Sequence, residues 1–310
     1  MTQTITIQEI DKAYNTLDAI RSSDIKDILT SPSLYKARMD GRLPGKTSYA
    51  LDAGTKIHAA LLQPQLFNDS YKFLPKHIQL NPADAKALMS DFGCKWKKAS
   101  SGRDDLYEVP VSTDAKKKMF DALSYHYGMD VIFHEEVEKI EFLIDRLRDN
   151  PQVVNLFQGN IDTELPLEGM IDDTRCKVKL DGLIENHTIF DYKSCECPIN
   201  DEMITYAIKK WSYHISAAFY LEITRQNDIP VKEFKWIFQN KNSGEAAVVP
   251  VPQVLLDEGM RKVKLALEIY NRATASDLWA DYLDPQTGGT NYDQPIDITE
   301  AALAIFRLEQ

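Results

Sequence analysis

The hydrophobic pattern changes period part-way along the chain. Over roughly the first half, apolar positions recur at helical spacing; beyond it they alternate in short runs, and helical spacing then returns. Residues 1–40 read as helical, with Ser23 as the expected cap of "DIKDILTSP" and Pro32 as punctuation. "GRLPGKTSYA" reads as a loop. In "LDAGTKIHAALLQPQLF", Ala53, Ile57, Ala60 and Leu61 lie at helical spacing, His58 sits inside the helix, and Pro64 is expected to close it. Residues 68–112 read as irregular, with two short helical pieces. Residues 113–150 predict one or two helices with Ile140, Leu143 and Leu147 as their apolar stripe, stopped by Pro151.

Beyond that point "TELPLEGMI", "CKVKLDGLIE" and "HTIFDYKS" predict three consecutive strands. "MITYAIKKWSYHISAAFYLEITRQ" predicts one long helical stretch. "FKWIFQNK" and "EAAVVPV" predict two further strands joined at Asn242-Ser243-Gly244, and "VPQVLLDEGMRKVKLALEIYNRA" predicts a long amphipathic helix. No internal repeat or low-complexity segment is visible. This order predicts an α/β fold, a mixed central sheet flanked by helices with a helical N-terminal region. The 310 residues read as a single domain: a mostly helical part at 1–150, a core at 160–275, and a polar tail at 276–310 with a last helix expected at "TEAALAIFRL".

Charges interrupt the most strand-like stretch. The hairpin "KLDGLIENHTIFDYKS" carries Asp181 on one strand and Asp191 and Lys193 on the next, around Glu185-Asn186-His187. Residues two apart on a strand share a face, so Asp191 and Lys193 point together, and a short hairpin brings Asp181 within reach. Buried charges are costly unless paired or bound to a metal. Two readings stay open: a solvated strand face with cross-strand ion pairs, or a site whose carboxylates hold a hard divalent cation such as Mg²⁺. In a site, the cation polarises a phosphoryl oxygen and lowers the pKa of a bound water. Lys193 then orients that water, acts as its base if its pKa is depressed, or stabilises transition-state charge. Such a constellation suits hydrolysis of a phosphodiester.

Composition narrows the partners. With 36 Lys plus Arg against 47 Asp plus Glu, the net charge is -11, which excludes coating of nucleic acid by bulk charge but not a local basic channel. No apolar run approaches a membrane span and no secretory h-region is present, so no membrane partner and a cytoplasmic location are expected. Cys94, Cys176, Cys195 and Cys197 lack zinc-site spacing and read as free thiols. The segment "CKWKKASSGR" offers Lys95, Lys97, Lys98 and Arg103 to phosphates and Trp96 to a base, or is a solvated basic loop. Lys209 and Lys210, near Tyr213, are similar candidates.

Several patches then fall in a telling order: "SDIKDILTSPSLYKAR", "GTKIHAALLQPQLF", "CKVKLDGLI", "FDYKS" and "WSYHISAAFYLE". Together they resemble the PD-(D/E)XK nuclease superfamily, and more closely the RecE (exonuclease VIII) type of phage exonuclease within the RecB-like group. The resemblance implies a restriction-endonuclease-like core. It implies that Asp181 and Asp191 are metal carboxylates, Lys193 the catalytic lysine, and His58 a further ligand or supporting group. The backbone carbonyl of Tyr192 is an additional implied ligand, and Glu164, ahead of Glu168, the acidic residue nearby. Tyr220 matches the last tyrosine of a helical motif and is counted with the catalytic group. Ser216 stands four residues earlier, on the same helix face, where the family has glutamine. Ser194 replaces a threonine. Lys179 stands where arginine is common, to contact phosphate or pair with Asp181. Lys179, Ser216, Lys95 and Lys97 are the expected DNA contacts.

The implied activity is a Mg²⁺-dependent 5′-to-3′ exonuclease, with Mn²⁺ able to substitute. It would act on linear double-stranded DNA ends and leave 3′ overhangs for a single-strand annealing protein of the RecT type. A ring-shaped homo-oligomer is implied as well. The alternatives are another RecB-like endo- or exonuclease, or a catalytically degenerate DNA-binding protein of the same fold.

Overall fold

Short polar caps and prolines set the helix boundaries of the N-terminal half. The computed structural model describes residues 7–43, 49–101 and 103–281. Helices α1 (Ile7–Thr16), α2 (Ser22–Thr30) and α3 (Pro32–Met39) open the chain. Ser23 is not the cap of α2; the Asp24 carboxylate accepts from the backbone N–H of Arg21 at 2.8 Å and closes that end. Ser31 caps α3, accepting from the Leu34 N–H at 3.2 Å, with Pro32 in the first turn. Helix α4 (Tyr49–Leu62) carries His58 and buries Ile57 and Ala60, while the side chain of Ala53 lies outside the described residues. Pro64 ends α4 by opening α5 (Pro64–Ser70).

The stretch expected to be irregular holds real strands. β1 (Tyr71–Leu74), β2 (His77–Gln79), α6 (Pro82–Asp91) and β3 (Leu106–Glu108) lead to α7 (Thr113–Tyr127) and β4 (Asp130–Phe133). β1 pairs with β4 in parallel and β2 with β3 antiparallel, around a small core of Ile78, Leu88, Tyr107, Met119 and Leu123. Each strand has three or four residues, too few for alternation to register in a sequence window. Helix α8 (His134–Arg148) buries the expected stripe of Ile140, Leu143 and Leu147, and Pro151 starts a further helix, α9 (Pro151–Leu156).

The second half builds the main sheet from β5 (Ile161–Ile171), β6 (Thr174–Ile184), β7 (Thr188–Cys195), β8 (Glu233–Asn240) and β9 (Ala246–Pro250), in that spatial order. β7 and β8 are parallel and the other neighbours antiparallel. The crossover between them is made by α10 (Asp201–Trp211) and α11 (Tyr213–Gln226), where the sequence predicts one helix. The break is Ser212, in the left-handed region at φ 51, and no glycine or proline announces it. Helix α12 (Gln253–Ser276) completes the described elements; the expected helix at "TEAALAIFRL" lies outside the described residues. Among those residues no helix is long and apolar enough to cross a membrane.

The sheet is apolar on both faces, as a covered sheet must be. Leu180, Ile189, Phe234, Trp236 and Phe238 pack with α2, α11 and α12; Phe190, Tyr192 and Ile237 pack with α4 and α8. The mixed α/β architecture expected from the sequence is the one present. β7 leaves β6 early, and the edge it leaves is taken by the N-terminal segment. Ile20 donates to the Arg175 carbonyl and accepts from the Lys177 N–H, both at 2.9 Å. The buried Lys177 ammonium then donates to the Tyr14 and Leu17 carbonyls, both at 2.7 Å, and ties α1 to the sheet.

Two helical glycines respond oppositely to alanine. A Cβ at Gly259 of α12 would lie 2.3 Å from the His214 carbonyl oxygen of α11, a backbone atom that cannot step aside. A Cβ at Gly54 of α4 would meet Ser194 Oγ at an ordinary 3.5 Å. Gly259→Ala is expected to destabilise by about 1–3 kcal/mol, as overpacking does. Gly54→Ala is expected to stabilise by about 0.5–1 kcal/mol through helix propensity. Urea denaturation of the two variants checks the opposite signs.

Candidate metal centre

Three carboxylates fall in one row across β5, β6 and β7. The β5–β6 register sets Thr163 opposite Gly182 and Leu165 opposite Leu180, which puts Glu164 opposite Asp181. The β6–β7 register sets Gly182 opposite Phe190, and one step further aligns Asp181 with Asp191. Like charges directly opposite one another on a sheet repel.

The backbone is reshaped where the row sits. Glu164 has φ 54, an uncommon value for glutamate. Side chains four apart in a regular strand share a face. Here Ile161 packs with the α4–α8 side and Leu165 with the opposite side, and Ile184 and Leu180 of β6 are split in the same way. Both strands therefore change phase at Glu164 and Asp181. Between β6 and β7 the backbone ladder stops at Gly182 and Phe190, and the Asp181 side chain continues it: Oδ2 accepts from the Tyr192 N–H at 2.8 Å. Gly182 permits this because the Phe190 ring lies where its Cβ would be, 2.0 Å from the nearest ring atom.

Each carboxylate has drawn a basic side chain. His58 reaches down from α4, with Nε2 at 2.9 Å from Asp181 Oδ2 and Nδ1 at 3.3 Å from Glu164 Oε1. Lys179 lies 2.5 Å from the other oxygen of Glu164. Lys193 lies 2.7 Å from both oxygens of Asp191 but hydrogen-bonds only Oδ1. Asp191 Oδ2 is buried with no hydrogen-bond donor among the described residues.

The titrations follow from these contacts. Burial alone would lower His58, yet the Asp181 hydrogen bond and the charges of Asp181, Glu164 and Asp191 raise it above the ordinary 6.5. Burial raises Asp191, Lys193 pulls it back, and the charge of Asp181 adds to the rise. Burial would lower Lys193, but Asp191 and Asp181 hold it above the usual lysine value, so it is a cation and not a base. Among the three roles open to Lys193 from sequence, charge stabilisation is the one its surroundings favour.

Donor atoms of His58, Glu164 and Asp181 all lie within 4.8 Å of one another. With Asp191 alongside, the donor set is rich in hard oxygen, the kind that Mg²⁺ prefers. The residues fit a divalent cation.

The other sequence candidates divide. Tyr220 is turned to the site: burial and the charge of Asp191 raise its hydroxyl against the pull of Lys193. Ser216 is buried one turn earlier on α11. The Tyr192 side chain points away, its hydroxyl donating to Gln239 at 2.7 Å, so only its backbone belongs to the site. Glu168 pairs with Arg175 at 2.6 Å, which leaves Glu164 as the acidic residue of the row. The basic segment makes ion pairs with the aspartates just after it and with β3. Lys97 pairs with Glu108 at 2.8 Å, Lys98 with Asp104 at 2.5 Å and Arg103 with Asp105 at 2.6 Å. Trp96 is buried against Tyr107 and cannot stack on a base; Lys95 is exposed. Sequence reasoning missed Tyr213, whose ring centroid lies 5.0 Å from Lys193 Nζ and 5.6 Å from Lys26 Nζ. Its only signal was its place at the start of "YHISAAFY".

Residues 21–289 match the family model described as PDDEXK-like domain of unknown function (DUF3799). The chain belongs to this PDDEXK-like family. The fold of this PDDEXK-like chain is similar to that of a candidate exonuclease from Eubacterium rectale, with a TM-score of 0.58 and 15% identity over 96% of this chain and 98% of that one. A phage-related exonuclease from Haemophilus somnus 129PT is also similar, with a TM-score of 0.29 and 12% identity over 65% of this chain and 97% of that one. No curated protein matches the sequence.

His58 provides a direct check of the electrostatics of the PDDEXK-like centre. In metal-free protein its ring is expected to titrate above 6.5 by NMR, and Asp181→Asn to lower that value. The stability it contributes is fully present below the unfolded histidine pKa and is lost as pH rises through the raised folded value. An unchanged titration in Asp181→Asn contradicts the assignment.

Proposed function

We propose that this protein is a metal-dependent nuclease that hydrolyses phosphodiester bonds of DNA. The observation that carries the reading is the row of Glu164, Asp181 and Asp191, closed by His58 on one side and Lys193 on the other. Asp181, Asp191, Glu164 and His58, with the Tyr192 carbonyl, would hold Mg²⁺, and Mn²⁺ would substitute. When bound, the cation polarises the phosphoryl oxygen and lowers the pKa of water.

The chain's own groups do the rest. Lys193 stays charged, is fixed by Asp191 at 2.7 Å, and offers its ammonium to the charge that develops on the phosphate. Tyr220 keeps its proton and acts as a hydrogen-bond donor beside Lys193. Lys179 is held by Glu164 yet 29% exposed, and contacts a phosphate at the rim. Ser216 lies one helical turn from Tyr220 and lines the same side. In the basic segment Lys95 is the cation without an ion-pair partner among the described residues, whereas Lys97 is already engaged.

The resemblance to the RecE type supports a finer reading. The enzyme would digest the 5′ strand from the ends of linear double-stranded DNA, leave 3′ overhangs, and pass them to an annealing protein of the RecT type. A ring-shaped homo-oligomer would let an acidic particle carry a basic channel. The fold shared with the Eubacterium rectale protein is consistent with an exonuclease. The intact Asp181, Asp191 and Lys193 speak against a degenerate binding protein.

Linear duplex labelled at its 5′ ends tests the reading. With Mg²⁺ the wild type is expected to release label, and Lys193→Ala or Asp191→Asn to slow release by about 10²- to 10³-fold. Closed circular duplex is expected to survive. If wild type and Lys193→Ala both leave the labelled ends intact, the nuclease reading fails.

A further inference from the structure

We propose that the exposed C-terminal end of α10, with Tyr206, Lys209, Lys210 and the terminal Trp211, is a stacking platform for the unpaired bases of a DNA strand at the mouth of the site. This rests on the nuclease reading and adds the form of substrate that the surface next to the centre engages.

Helix α10 buries Ile204, Ala207 and Ile208, which turns the rest of it outward. Tyr206, Lys209 and Lys210 stand three and four residues apart, so they share a side. Tyr206 and Trp211 are each 55% exposed, a large apolar cost for two rings on one helix. The Lys210 ammonium is within reach of both, 5.5 Å from the Tyr206 ring centroid and 5.1 Å from that of Trp211. Rings that meet base faces and an amine that meets phosphate are what a single-strand surface is made of.

Charge favours nucleic acid as the occupant. Lys97, Lys98 and Arg103 are neutralised by neighbouring carboxylates. Lys209 and Lys210 have no ion-pair partner among the described residues, and the carboxylates of α10, Asp201 and Glu202, lie at its other end. In a chain of net charge -11, these two lysines without an ion-pair partner sit beside two exposed aromatic rings. Lysine is depleted where proteins meet proteins, yet here it is the central residue of the patch.

Position links the platform to the chemistry. Trp211 is separated only by Ser212 from Tyr213, whose ring sits 5.0 Å from the Lys193 ammonium. Two peptide steps span at most about 7.6 Å. The Lys26 ammonium lies 5.6 Å from the same ring. Bases in a duplex are already stacked, so exposed rings here engage a strand only where it is unpaired.

The test is binding in EDTA, where no cleavage occurs, with the oligonucleotide dT20 and with blunt duplex as probes. Trp96 and Trp236 are buried and Trp279 half-buried, so quenching of tryptophan fluorescence by dT20 reports mainly on Trp211. Quenching is expected in the wild type and absent in Trp211→Phe, which keeps most of the affinity. Trp211→Ala is expected to bind dT20 about 5- to 150-fold more weakly, with duplex binding much less affected. Changing both Lys209 and Lys210 to Gln is expected to reduce the salt dependence of dT20 binding by about 1.4 in the log–log slope. Unchanged thermal melts show that these surface variants are folded. Wild-type dT20 affinity in Trp211→Ala, or absence of quenching in the wild type, overturns the platform. The two readings separate: platform-dependent dT20 binding without any cleavage by the wild type sinks the nuclease alone, and cleavage without it sinks the platform alone.

Discussion

Three carboxylates cannot stand side by side across adjacent strands without positive charge among them. At a separation near 4 Å and an effective dielectric of about 20, each like-charge pair costs about 4 kcal/mol. Glu164, Asp181 and Asp191 are in that position, and the surrounding structure answers it. Helix α4 delivers His58 between two of them, β6 adds Lys179, and β7 adds Lys193. Even so, the Asp191 carboxyl is pushed up to about 6 by burial, and the His58 ring is raised above its ordinary value by the carboxylates around it. Oxygen donors that converge in this way suit a hard, doubly charged ion.

The fold provides the geometry through a local break in its own rules. A regular β5–β6 pair would keep one face apolar throughout; the left-handed Glu164 and the phase change at Asp181 turn two acidic residues out of that alternation. Such backbone strain is tolerated where the surroundings over-determine it. Here α4 and α8 pack on one face, α2, α11 and α12 on the other, and the Ile20 segment pins the β6 edge that β7 has left. The same departure of β7 frees the Tyr192 N–H for Asp181.

Much of this was legible in the sequence because it depends on period. The long strands and the stripes of α8 and α12 have enough residues to show alternation or helical spacing. The hairpin with Asp181, Asp191 and Lys193 was visible because charge interrupted that pattern. His58 was not legible from periodicity, since a histidine on an apolar helix is usually structural; the resemblance carried it. What stayed hidden depended on partners distant in sequence. The strands between Tyr71 and Phe133 are too short to signal themselves. For Trp96 and its lysines the sequence left a DNA-contacting loop and a solvated loop both open; the pairing of β2 and β3 decides the ring, which is buried, and sets Glu108 against Lys97. Pro64 and Pro151 were read as helix stops, though each also begins a helix, the position where a missing N–H costs nothing. The turn at Ser212, which places Tyr213 on Lys193, carries no glycine to mark it.

The most direct measurement is anomalous diffraction from crystals soaked in Mn²⁺. One peak is expected within coordinating distance, roughly 2.0–2.6 Å, of oxygens from both Asp181 and Asp191, with Glu164 and His58 around it. No peak there, or a peak bound only elsewhere on the chain, contradicts a centre organised around a divalent cation.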